Sequence, residues 1–430
     1  MTLELSGGHV LRPDLSVERA DVLVDTDAGE VLEVGALDGT GEETLDCSGS
    51  LVPPGLVNAH THAAMTLLRG YADDKPLEAW LREDVWPIEG VLEPADVRAG
   101  TELGVVEMLQ SGVTAFADMY FHVPEVVDVV DRAGLRARVG HGVVTVAKGT
   151  ETAHDDAAES IEVAREYDGA ADGRVRTAFM PHSLTTVGES FLEEYVPEAR
   201  DLGVPVHVHA SETREEVDPI LEEYGRRPLA YARDRGLLAD GDFLAHGVHL
   251  DDAEIDLLAE TGTGVVHCPA SNMKLASGMA PVQRLLDAGV PVGLGTDGAA
   301  SNNDLDLFGE MRDAAMLGKL AADDASAVAA PDVVRMATEW GADVVGLPAG
   351  RVDPGGTADL AVVDFEAPHL TPVHDHVSHL VYAARGSDVR HTICDGAVLV
   401  REGSVTTLDE SRVRATAADR AASAVERAGE

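Results

Sequence analysis

GLVNAHTH, residues 55–62, is the stretch on which the fold turns. It is a short apolar run that ends in two histidines, and seven later runs share its texture. They are VTAFADMY (113–120), ARVGHGVV (137–144), VRTAFMPHS (175–183), VPVHVHASE (204–212), DFLAHGVH (242–249), TGVVHCPAS (263–271) and VPVGLGTDG (290–298). Between them lie stretches such as AGTELGVVEMLQSG, FLEEYVPEARDLG and AEIDLLAETG, whose apolar residues recur at three and four, the helical period. Eight buried-type strands alternating with helices predict the α/β class and, within it, a (β/α)8 barrel of the TIM type.

Both ends of the chain read differently. LELSGGHVL and ADVLVDTDAGEVLEVG alternate with period two, punctuated by Gly-Gly and Asp-Ala-Gly turn signals. The same texture returns in TADLAVVDF (357–365) and VRHTICDGAVLVREG (389–403). The expected organisation is a small β-sandwich composed of residues 1–52 and 355–408, a catalytic barrel over 53–354, and a polar, Ala-rich helix or tail over 409–430.

Composition bounds the function. The chain has 430 residues, 45% of them hydrophobic, enough to bury a core. Its 77 acidic against 32 basic residues leave a net charge of −45, spread over the whole length, and only Lys75, Lys148, Lys274 and Lys319 are lysines. Such a field repels phosphate backbones and anionic lipid, which argues against nucleic-acid and membrane partners. It fits a solvated surface adapted to very high salt, where repulsion is screened within a few ångströms. Three widely spaced cysteines (Cys47, Cys268, Cys394) argue against a disulfide framework and a thiolate metal site. MTLELSGGHV lacks the pattern of a signal peptide, and no run approaches the ~20 apolar residues of a membrane helix, so a cytoplasmic location is expected.

In a barrel, function collects at the C-terminal ends of the strands. Alternation sends residues i and i+2 of a strand to one face, so His60 and His62 can both point into the barrel mouth. Strand five ends His207-Val208-His209-Ala210-Ser211-Glu212, strand six carries His246, and strand eight ends at Asp297. Strands two and three contribute nothing to this reading. Taken singly, each residue has a bland explanation in packing or turn geometry. Together, three imidazoles and a carboxylate at successive strand ends suit a divalent ion that keeps a place for water.

With these residues in place, the sequence resembles the amidohydrolase superfamily, and within it the methylthioadenosine/S-adenosylhomocysteine deaminases and their nucleoside-deaminating relatives. The resemblance rests on LVPPGLVNAHTHAAMTLLRG (51–70), EDVWPIE (83–89), HASE (209–212), HCPASNMKLASG (267–278) and GLGTDGAASNNDLDLFGEMR (293–312). It implies one Zn2+ per subunit, with Fe2+ or another divalent ion as alternatives, held by His60, His62, His209 and Asp297. His209 is chosen over His207 because the family's ligand stands three residues before a catalytic Glu, here Glu212. His207 is left open between orienting a ligand and simply packing. Two-metal relatives bridge their ions with a modified Lys at the end of strand four; here that strand ends Phe179-Met180-Pro181-His182, and Lys148 is a poor substitute.

The resemblance also implies roles. Asp297 accepts the proton of the attacking water, Glu212 protonates purine N1, and His246 steadies the developing tetrahedral centre. Glu89 and His182 would contact the nucleoside, and Ser301-Asn302-Asn303 would support Asp297. The implied reaction converts an adenosine-type nucleoside (methylthioadenosine, 5′-deoxyadenosine, adenosine or S-adenosylhomocysteine) to the inosine analogue plus ammonia. Relatives that accept S-adenosylhomocysteine carry Arg between strands three and four; residues 140–160 here hold none, which predicts a preference for neutral 5′ groups. Rival readings on the same scaffold are a guanine or cytosine deaminase, a triazine-type hydrolase, or a cyclic amide hydrolase. Association into a homo-oligomer is also expected.

Overall fold

Every one of the eight apolar runs forms extended chain in the computed structural model, which describes all residues except Asp38, Ala147 and Glu430. Those three fall in the expected N-terminal β segment, the 140–160 segment and the C-terminal tail, and lie outside the described residues. The strands are β1 (Leu56–Thr61), β2 (Val113–Tyr120), β3 (Arg136–Val143), β4 (Val175–Thr177), β5 (Met180–Pro181), β6 (His207–Ala210), β7 (Phe243–His246), β8 (Gly264–His267) and β9 (Val292–Leu294). β1, β2 and β3 are buried at every position, as expected of parallel strands covered on both faces.

The fourth run supplies two pieces, β4 and β5, both paired with β3. Ala178 and Phe179 between them still bond on both sides, Ala178 N to Val139 O at 3.1 Å and Phe179 N to Pro205 O at 2.9 Å. All pairings are parallel, but they form two sheets, not one continuous ladder: β1 to β5 in one, β6 to β9 in the other. The sheets meet on both sides. Parallel bridges join Phe179 to Val206 and Ser183 to His209. At the opposite edges Asp297 N donates to His60 O at 3.0 Å, and Asn58 Nδ2 donates to Thr296 Oγ1 at 2.8 Å. The last strand thus stands against the first.

Five helices matter for the site: α1 (Pro94–Gln110), α2 (Arg214–Tyr224), α3 (Pro269–Lys274), α4 (Leu307–Ala322) and α5 (Glu410–Ala428). α1 begins with Pro at its first turn and a reciprocal Glu93–Asp96 cap. It packs on the 3-10 turn Ala63–Leu68 that follows His62. The approach is close: a Cβ at Gly100 would stand 2.4 Å from Ala64 O. The C-terminal segment is a docked helix, α5, with Val413, Ala417 and Ala424 buried and Arg427 paired with buried Asp96 of α1.

The termini build two further sheets. One has the order Glu30–Gly35, Asp21–Asp25, Thr2–Ser6, Glu43–Asp46. The other has seven strands, in which Leu360–Asp364 pairs antiparallel with Ser50–Val52 and so joins N-terminal to C-terminal chain. A shared cluster of Leu3, Leu5, Val22, Val24, Leu360 and Ile393 draws on both ends.

Candidate active site

His60, His62, His209 and Asp297 come together from β1, β6 and the end of β9, each buried, with one donor atom of each within 4.8 Å of the others. His60 of β1 and His62, one residue past its end, turn their imidazoles to the same side, as the spacing predicts. The hydrogen bonds behind the rings define what the front presents. His62 Nδ1 lies 2.6 Å from Met119 O, and His209 Nδ1 lies 2.6 Å from His182 O. A carbonyl only accepts, so each Nδ1 carries a proton, and in its neutral form each ring turns an Nε2 lone pair to the centre. Those nitrogens crowd: His209 Nε2 is 3.2 Å from His60 Nε2 and 3.3 Å from His62 Nε2. Facing lone pairs at that separation repel unless a cation sits among them. The donor set therefore fits a divalent ion with nitrogen and oxygen ligands.

The buried Asp297 carboxylate treats the two histidines of the first strand end differently. Burial, only partly offset by Asp297, pulls His60 down to about 4. Burial also opposes charge on His62, but its bond to Asp297 wins and raises it to about 9. Burial likewise opposes charge on Asp297, and the His60 and His62 contacts hold it well below the usual carboxylate range. His62 and Asp297 thus set opposite charges against each other inside the protein.

Asp297 uses its two oxygens differently. Oδ1 faces His62 Nε2 at 3.2 Å and His60 Nε2 at 3.6 Å, and accepts from Gly298 N. Oδ2 accepts two hydroxyls, Ser271 and Ser301, each at 2.7 Å. Buried Glu310 of α4 braces the two short helices that carry them, α3 and Ala299–Asn302, accepting from Ala270 N at 3.2 Å and Asn302 Nδ2 at 2.6 Å. Of Ser301-Asn302-Asn303, Ser301 bonds Asp297 itself and Asn302 Nδ2 donates to the neighbouring Thr296 O at 2.8 Å, whereas Asn303 Oδ1 accepts from Lys274.

Glu212 and His246 stand beside the cluster. Ser277 Oγ donates to Glu212 Oε1 at 2.9 Å, and Oε2 lies 3.7 Å from His246 Nε2. His246 Nδ1 donates to Asn272 Oδ1 at 2.9 Å, which aims Nε2 inward. Burial raises Glu212, against the pull of His246. Ser211, His246 and Asp297 all have left-handed backbone, with φ of 55°, 74° and 58°. Non-glycine residues held there cost about 1–3 kcal/mol each, and such strain gathers where function dictates side-chain direction. A cleft of about 660 Å³ opens beside Glu212, lined among others by Thr213, Arg214, His249 and Ser277.

The two expected nucleoside contacts also reach the site. Glu89 faces the Tyr120 phenol and the His62 ring, and burial, opposed by both, raises it to about 7. His182 is brought down to about 3 by burial first and His62 second, so it is neutral, and its Nδ1 lies 3.0 Å from Thr186 Oγ1. Lys148 stands apart from the cluster, paired with Asp156 at 2.9 Å.

Some residues at the site escaped the sequence reading. β2, set aside there, supplies Asp118, which accepts from Ala63 N at 2.7 Å just behind His62, and Tyr120 beside Glu89. Ser271, Asn272 and Ser277 lie inside HCPASNMKLASG, a stretch that was singled out without roles for its members. The polar spacing of that motif was the available signal.

The comparisons agree with this geometry. Residues 51–399 match the amidohydrolase family, and the chain belongs to that family. Among individual proteins, it is 65% identical over its full length to a 5-methylthioadenosine/S-adenosylhomocysteine deaminase of Haloarcula marismortui, covering 99% of that protein. It is 44% identical to a 5′-deoxyadenosine deaminase of Methanosarcina mazei, over 93% of this chain and 96% of the other. The crystal structure of an adenosine deaminase from Xanthomonas campestris with bound zinc superposes with a TM-score of 0.93 at 36% identity, covering 99% of this chain and 98% of that one.

Proposed function

We propose that the protein is a metal-dependent hydrolytic deaminase of adenosine-type nucleosides, converting substrate and water to the inosine analogue and ammonia. The observation that carries this reading is the buried His60–His62–His209–Asp297 cluster with Glu212 and His246 beside it. The same reading takes the two parallel sheets as halves of a closed (β/α)8 barrel over 53–354. It takes the terminal sheets as one sandwich over 1–52 and 355–408.

His60, His62, His209 and Asp297 would hold the ion, with zinc as the proposed metal at one per subunit. When bound, such an ion acts as a Lewis acid and lowers the pKa of water to about 7. Asp297 Oδ1 accepts the proton of the attacking water, with Oδ2 occupied by Ser271 and Ser301. Glu212, whose hold on a proton burial strengthens, delivers a proton to purine N1, so negative charge does not build up in the ring as C6 is attacked. His246 directs Nε2 at the developing tetrahedral centre. Asp297 then passes its proton to the amine, the C6–O–H proton passes to Glu212 as the carbonyl forms, and the C6–N bond breaks to release ammonia. Glu89 accepts the ribose hydroxyls, and neutral His182 contacts the sugar.

The 5′ preference follows from residues 140–160, which hold no Arg and whose Lys148 is paired with Asp156. Methylthioadenosine, 5′-deoxyadenosine and adenosine are favoured over the zwitterionic tail of S-adenosylhomocysteine. Homo-oligomeric assembly belongs to the same proposal and is read by sedimentation in high salt.

The test is ammonia release by metal-replete protein in high salt from these four nucleosides and guanine, with Asp297→Ala as blank. Release from an adenosine, absent in the blank, supports the reading and ranks the 5′ groups. Silence on every adenosine overturns it, and turnover of guanine alone would move the assignment to that base.

A further inference from the structure

His207 has no part in the chemistry above, yet it is wholly buried beside the cluster. Its ring stacks on Phe243, centroids 4.1 Å apart and planes 18° from parallel. Its two nitrogens are both engaged: Nδ1 lies 3.1 Å from Phe243 O, and Nε2 lies 2.8 Å from His60 Nδ1. Among the described residues no carboxylate pairs with it.

These contacts admit one consistent proton arrangement. Phe243 O can only accept, so His207 Nδ1 carries a proton. A neutral His207 then has its lone pair on Nε2, and the 2.8 Å contact requires His60 Nδ1 to donate. His60 is left with an unprotonated Nε2, turned toward His62, His209 and Asp297. The opposite tautomer of His207 would set two acceptors against each other at Phe243 O. His62 and His209 donate from Nδ1 directly to the carbonyls of Met119 and His182. His60 reaches a main-chain carbonyl only through a second ring.

We infer that His207 is a positioning residue, a hydrogen-bond relay from His60 to the Phe243 carbonyl that fixes the His60 ring with its Nε2 lone pair facing the metal position. The inference rests on the metal-centre reading of the preceding subsection. It also accounts for the His-Val-His spacing of β6: His209 faces the centre, while His207, two residues earlier on the same face, stands behind His60.

The experiment compares wild type with His207→Leu and His207→Gln in high salt. Leucine fills space without an acceptor, whereas glutamine Oε1 can accept from His60 Nδ1. Zinc affinity is read by chelator competition and ligand geometry by the d–d absorption of the Co2+-loaded proteins. Removing such supporting partners typically weakens metal binding about 10–100-fold. That loss, with an altered cobalt spectrum, is expected for His207→Leu, and His207→Gln is expected to retain affinity within about tenfold of wild type. Wild-type affinity and spectrum in His207→Leu overturn the relay, and so does equal weakening in both variants, which would mean that packing alone matters. Ring 15N shifts of the metal-free wild-type protein test the same point without a variant: both rings are expected as Nδ1–H tautomers, and an Nε2–H form of either overturns the relay. A wild type that binds neither Zn2+ nor Co2+ sinks the metal-centre reading itself, and the relay with it.

Discussion

Asp297 divides its work between two oxygens, and the division makes a prediction about the serines. With both hydroxyls on Oδ2, the side chain can rotate neither Oδ1 away from the cluster nor Oδ2 into it. Ser271→Ala and Ser301→Ala should each lower kcat about 10–150-fold with little change in KM, since each removes one hydrogen bond to a charged group, worth about 1.5–3 kcal/mol. Steady-state ammonia release checks this, and an unchanged kcat in both variants would contradict the clamp. Glu89 makes a second prediction. Raised to about 7 by burial, it is an acceptor-only carboxylate above that pH and a partly donating acid below it. KM for the nucleoside should therefore climb as pH falls through about 7, whereas Glu89→Gln should show a high KM that pH between 6 and 8 barely moves. A pH-dependent KM surviving in that variant would assign the titration elsewhere.

Elements hold these side chains by close approach. The turn Ala63–Leu68 directly behind His62 lies on α1 with no room at Gly100, where an added Cβ would meet backbone at 2.4 Å. Gly100→Ala should cost about 1–3 kcal/mol, the usual penalty of overpacking, and lower the melting temperature in high salt. Gly309 in α4 is the control, with nothing within 4 Å of its Cβ position, and Ala there should be neutral or stabilising by up to about 1 kcal/mol. Equal effects at both positions would refute the close-packing argument. In α2, Glu216 accepts from Glu212 N at 3.0 Å, and burial raises it from 4.5 to about 7. The folded state therefore binds this proton more tightly than the unfolded chain does. Its contribution to stability is present below about 4.5 and is lost as pH rises through about 7. Glu216→Gln keeps an acceptor for Glu212 N and should flatten that part of the stability profile, as read by thermal unfolding between pH 4.5 and 8.

The whole molecule carries −45, and that charge sets the conditions under which any of this can be measured. The screening length is about 3 Å in 1 M salt and about 10 Å at 0.1 M, so dilution lets the acidic surface repel itself over many neighbours. Unfolding should become spontaneous or nearly so on transfer from molar to 0.1 M salt, followed by circular dichroism; a cooperative transition at an unchanged temperature would contradict the halophilic reading. At this scale the sequence by itself determined a good deal. The alternation of apolar runs with 3.6-period stretches announced an α/β chain with β-rich ends. The strand-end positions of His60, His62, the His207–His209 pair, His246 and Asp297 announced a metal-centred site, while the choice of His209 and the role of Glu212 came from the family resemblance. These are properties of local periodicity: which face a residue takes, and where a strand stops. Tertiary structure alone decided the rest. His207 meets His60 across 147 residues, and Ser271 meets Asp297 across 26. Glu89 meets Tyr120 between a short helix and β2, and the C-terminal segment docks as α5 on α1. Such contacts depend on the register of parallel strands, on the path of the loops that join them and on the direction in which each hydrogen bond must run. A one-dimensional pattern specifies none of these until the strands stand side by side.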